Sequence, residues 1–111
     1  MVAPLDCLRK IVAVYVVTVL FTLKPEHTAA FLRAVVRNAT TSLAAEPGCR
    51  QFDVCVPLSQ ANEVFLYELY DSKDAFDKHL ASSHFREFNA ETAKWVAAKT
   101  VHVLDRVYPP A

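Results

Sequence analysis

From Ile11 to Leu23 almost every position is apolar, IVAVYVVTVLFTL, until Lys24-Pro25-Glu26 interrupts the run. Valine density and the proline stop predict a central strand covered on both faces. As a helix the segment would rise only about 20 Å, against a hydrocarbon core of about 30 Å. Arg9 and Lys10 precede it, but no small-x-small cleavage site follows, so a signal peptide is disfavoured as well. Pro25 and Glu26 suit the first turn of a helix. Phe31, Val35, Ala39 and Leu43 then recur every fourth residue beside Leu32 and Val36, with Arg33, Arg37 and Asn38 opposite. That spacing predicts an amphipathic helix lying on a sheet.

Glu46-Pro47-Gly48 ends this helix, and Gly48 is the residue free to adopt a positive φ. Arg50 to Val56 alternates, with Phe52, Val54 and Val56 against Gln51, Asp53 and Cys55. A polar loop from Pro57 to Glu63 leads into a second alternating strand, where Phe65, Tyr67 and Leu69 oppose Leu66, Glu68 and Tyr70. Asp71, Ser72 and Asp74 supply helix-start chemistry. A short helix over Lys73 to Ala81 carries Ala75, Phe76, His79 and Leu80 on one stripe. Ser83 is expected to cap the next helix, on which Phe85, Phe88, Thr92, Trp95 and Val96 align. Lys99 to Val107 alternates again, and Pro109-Pro110 stops it.

The order β-α-β-β-α(α)-β predicts an α+β, ferredoxin-like fold with a four-stranded antiparallel sheet and its helices on one face. Residues 1–10 read as an N-terminal extension, 11–108 as the domain and 109–111 as a tail. Apolar side chains on both faces of the sheet predict that two sheets pack face to face as a homodimer.

Composition supports one ordered domain: 111 residues, a single glycine and 53% hydrophobic residues. Twelve acidic and twelve basic side chains cancel, which removes the electrostatic footprint expected for nucleic-acid binding. Cys7, Cys49 and Cys55 are odd in number and form no CxxC pair, as expected of free thiols in a reducing cytoplasm. With the histidines scattered, they supply no four-ligand zinc set. The expectation is a cytoplasmic protein with no metal site, acting on a small molecule, with neither membrane nor nucleic acid as partner.

Two stretches carry a resemblance. E-P-G-C-x-Q-F-D-V (Glu46 to Val54) and Y-E-x-Y-x-S-x-x-A-F-x-x-H-x-x-S-x-H-F (Tyr67 to Phe85) are similar to the antibiotic biosynthesis monooxygenase domain. The likeness runs from about Val12 to Val107. It implies a dimeric α+β barrel, and oxygenation of quinol or polyphenolic substrates without any cofactor. Similar patterns occur in an isomerase of a phosphorylated signalling compound, so a proton-shuttling isomerase on a phosphorylated carbonyl compound is the second reading. A non-catalytic dimeric binding or stress-response protein is the third. The haem-degrading branch is not matched, because its characteristic residues fall near Asn89, Tyr70 and Val19.

A cofactor-free oxygenase needs a base, donors for a developing oxyanion and a dry pocket. The catalytic candidates are His84 in the first turn of a helix, His79 on an apolar stripe and Tyr67. The substrate-binding candidates are Phe52, Asp53, Glu68, Tyr70, Phe85 and Trp95. Strand alternation separates Tyr67 from Tyr70 and leaves open which of them faces the helices. Glu68 in mid-strand needs a partner, for which Arg50 or Arg106 is suitable. An isomerase would present Lys24, His27, Arg33 or Arg86 to the phosphate.

Overall fold

A computed structural model describes residues 14–111, so the extension 1–10, Cys7 and the start of the first apolar run lie outside the described residues. Strand β1 spans Tyr15–Leu23, helix α1 Thr28–Ala45, β2 Cys49–Cys55, β3 Glu63–Tyr70, α2 Lys73–Ala81, α3 Ser83–Thr92 and β4 Val96–Asp105. Short 3₁₀ turns at Pro25–His27 and Ala93–Trp95 precede α1 and β4. The sheet order is β2-β3-β1-β4 with antiparallel neighbours throughout. This is the α+β ferredoxin-like arrangement that the element order implies. Its fourth strand lies a few residues earlier than the Lys99 to Val107 alternation suggests.

Cross-strand partners share a face, so the register sorts the side chains. Val17, Val19, Phe21 and Leu23 of β1 join Val64, Leu66 and Tyr70 of β3 and Phe52 of β2 in the core beneath the helices. The core also takes Phe31 and Val35 from α1 and Phe88 from α3. The opposite face carries Val16, Leu69 and Tyr67.

Helix α1 departs from the expected stripe. Asn38 and Ser42 are buried, whereas Val36 and Leu43 are about half exposed. Steps of four residues drift by roughly 40° each on a helix of 3.6 residues per turn, so a strict i+4 series leaves its face after three steps. The stripe through Phe31, Ala34, Val35, Asn38, Ala39 and Ser42 stays on it.

Gly48 also acts otherwise than expected, since among the described residues no glycine has a positive φ. Its role is space: a Cβ there would lie 2.6 Å from the Ala75 Cβ. Gly48→Ala is therefore expected to destabilise by about 1–3 kcal/mol through overpacking. The melting temperature should fall by about 4–8 °C per kcal/mol for a domain of this size. An unchanged melting curve would show that the contact between Gly48 and Ala75 of α2 yields freely.

Candidate active site

The helices do not cover the sheet completely. Between them lies a cavity of about 240 Å³, walled by Val17, Val19, Phe21, Phe52, Leu66, Phe76, Leu80, Phe85, Phe88 and Val101. Four polar side chains join this lining: Asn38 from α1, Glu68 from β3, His79 from α2 and Lys99 from β4. A mostly apolar hollow with a few convergent polar groups is the usual form of a small-molecule site. Edge strand β4, exposed over nearly its whole length, borders the opening.

Glu68 is 3% exposed and reaches neither Arg50 nor Arg106. Arg50 pairs with Asp71 at 2.8 Å instead. The partner of Glu68 is Tyr70, two residues along the same strand face, whose hydroxyl donates to Glu68 Oε1 at 2.5 Å. Burial pushes the Glu68 carboxyl up to about 7, with the nearby Glu46 charge adding to the effect and the Tyr70 hydrogen bond and Lys99 opposing it. Burial, reinforced by the Glu68 charge, also raises the Tyr70 phenol, so this tyrosine stays a donor.

His79 is 2% exposed and packs among Phe52, Tyr70, Phe76 and Phe85 with ring centroids 5.1–6.2 Å apart. Its Nδ1 lies 2.9 Å from Glu46 Oε2. Burial lowers the His79 pKa, and the Glu46 hydrogen bond works against that shift. The same Oε2 lies 2.5 Å from Nε2 of His84. Glu46 was not among the candidates read from the sequence. It sits just past the end of α1, where a helix-ending Glu-Pro-Gly looks like a turn and nothing in the spacing links it to His79 or His84.

His84 is placed by Ser82 rather than by Ser83. The Ser82 hydroxyl accepts from the Phe85 amide and donates to the His79 carbonyl at 2.6 Å, so one serine closes α2 and opens α3. His84 thus stays in the first turn of α3, but it lines an outer groove between α1 and α3 rather than the cavity.

Among the other candidates, Phe52, Phe85 and Glu68 line the cavity. Tyr70 adjoins it through Glu68. Tyr67 and Asp53 are cross-strand partners on the opposite face of the sheet. Trp95 stacks on His27 at 5.7 Å, away from the lining. Lys24, His27, Arg33 and Arg86 do not line the cavity either. Burial drives the Cys49 thiol up to about 12, which keeps it protonated and unreactive, and Cys55 is exposed. Among the described residues, no helix is long and apolar enough to cross a membrane.

The family model described as "Antibiotic biosynthesis monooxygenase" matches residues 14–91. Over 63 residues the chain is 33% identical to "Putative monooxygenase Rv0793" of Mycobacterium tuberculosis, a match covering 57% of this chain and 61% of that protein. The chain thus spans less than two thirds of the length of that curated relative. A solved structure named "Putative antibiotic biosynthesis monooxygenase from Nitrosomonas europaea" superposes with a TM-score of 0.85 at 26% identity, covering 90% of this chain and 96% of that one. The structure of Rv0793 itself superposes with a TM-score of 0.78 at 26% identity, over 85% and 95% of the two chains.

Proposed function

The chain belongs to the antibiotic biosynthesis monooxygenase family, and we propose that it oxygenates a small quinol or polyphenol within the cavity beside Glu68 and His79. The observation that carries this reading is a buried carboxyl poised near neutrality in an aromatic hollow. A general base works best when its pKa lies near the operating pH.

The Glu68 carboxylate takes the hydroxyl proton of the substrate, while the Tyr70 hydroxyl holds Oε1 and leaves Oε2 for the transfer. His79, engaged through Nδ1 by Glu46, offers its other ring nitrogen as acceptor to a second hydroxyl. Lys99 faces the developing phenolate charge, and Phe52, Phe76 and Phe85 stack on the ring and exclude water. The electron-rich phenolate reduces O₂ itself. One oxygen atom enters the ring and the other leaves as water, giving a hydroxyquinone from a quinol, with every electron supplied by the substrate. The fold's outer face, with Val16, Tyr67 and Leu69, pairs with a second copy of the chain in this reading.

A naphthohydroquinone in air-saturated buffer provides the test. Oxygen uptake above the protein-free rate is expected, with isotopically labelled oxygen from O₂ appearing in the product. Uptake equal to the control across a panel of quinols, or a product free of label, would sink the proposal. A monodisperse monomer at micromolar concentration would remove the dimer from it.

A further inference from the structure

Behind the cavity wall lies a cluster that the proposed oxygenation does not use up. Glu46 from the end of α1, His79 from α2 and His84 from α3 bring one donor atom each to within 4.8 Å of the others. Three separate elements converge here, and both imidazoles address a single carboxylate oxygen, at 2.9 Å and 2.5 Å. The second carboxylate oxygen, Glu46 Oε1, is buried and has no hydrogen-bond partner among the described residues. A buried carboxylate oxygen without a donor is costly, and it calls for a cation or an ordered water.

From this geometry we infer that Glu46, His79 and His84 form a binding site for a divalent transition-metal cation of the zinc class. Two imidazoles and one carboxylate are the donors such an ion prefers over hard oxygen-only cages. Bonds of about 2 Å place tetrahedral donors roughly 3.3 Å apart, so the imidazole–carboxylate separations of 2.9 Å and 2.5 Å would open by about 0.4 Å and about 0.8 Å. The ion would lie within reach of both Glu46 oxygens and satisfy the orphaned one. Ser42 Oγ, 3.4 Å from His79 Nδ1, and Ser82 Oγ, 3.2 Å from His84 Nε2, stand close enough to hold a coordinated water. An entry path exists as well, because His84 lines the outer groove of about 170 Å³ together with Thr41, Glu87 and Glu91.

Binding has a chemical consequence for the cavity. With Nδ1 donating to Glu46, the other His79 nitrogen is an acceptor; with Nδ1 on a metal, it carries the proton and becomes a donor. Occupancy would therefore reverse the hydrogen-bonding sense that His79 presents. The site stands on geometry alone and does not depend on the oxygenase reading.

Tag-free protein, stripped with a chelator, is titrated with Zn²⁺ in a calorimeter and separately with Co²⁺ under visible spectroscopy. The expected result is about one ion per chain, with Co²⁺ bands of a nitrogen- and oxygen-ligated ion and no thiolate charge-transfer band. His84→Ala and Glu46→Gln should each weaken binding by at least about tenfold, since changes even beyond the ligands themselves have that effect. His84 is the more exposed of the two imidazoles, so its variant retains the fold if Glu46→Gln does not. No saturable binding, thiolate bands, or an affinity that His84→Ala leaves unchanged would each overturn the assignment.

Discussion

Glu68→Gln is expected to lower the rate of quinol oxygenation by about 10²–10⁴-fold, the usual worth of a positioned general base. The amide keeps the shape and still accepts from the Tyr70 hydroxyl, so the loss isolates the proton transfer from the packing. The rate of the wild-type protein should rise with pH through about 7, where the Glu68 carboxyl ionises, and that limb should vanish in the variant. The same substitution has the opposite effect on stability. Because burial raises this group from 4.5 to about 7, the folded protein holds a proton that the unfolded chain releases. Its contribution is fully present below pH 4.5 and is lost as pH rises through about 7. Ionised Glu68 then costs the folded state about 3 kcal/mol, which glutamine avoids. Melting curves at acid and alkaline pH check this: the variant should gain on the wild type only at the alkaline end. Parallel pH profiles for the two proteins would falsify the ionisation argument, whatever the kinetics show.

Glu46→Ala should destabilise by about 3 kcal/mol, because it strips one shared acceptor from two imidazoles at once. His79 is 2% exposed, and its Nδ1 would keep only the longer Ser42 contact at 3.4 Å. Leaving a buried donor unsatisfied costs about 1–3 kcal/mol, and His84 adds a smaller share because water reaches it from the groove. Chemical denaturation reads the loss as a lower midpoint at constant slope. The side chains also tie the end of α1 to both later helices, so a double-mutant cycle of Glu46→Ala with His79→Ala should show strong coupling. Additive losses would mean that the carboxylate and the imidazole act separately.

The site was partly legible in the sequence. Alternation in β3 put Glu68 and Tyr70 on one face and Tyr67 on the other, because side chains on a strand point to opposite sides in turn. What alternation cannot say is which face the helices cover; the answer makes Glu68 part of the cavity and moves Tyr67 to the outer side. The burial of His79 followed from its apolar stripe, and the first-turn position of His84 survived a cap displaced by one residue.

Local pattern alone therefore determined the strands, the helices, their order and the side-chain parity of each strand. These depend on turn chemistry and hydrophobic period within a few residues. Contacts across 33 and 38 positions, such as those of Glu46 with His79 and His84, were decided only by the tertiary structure. No periodicity extends over that distance. Helices crossing a sheet bring such residues together, and the crossing is set by how the whole core packs.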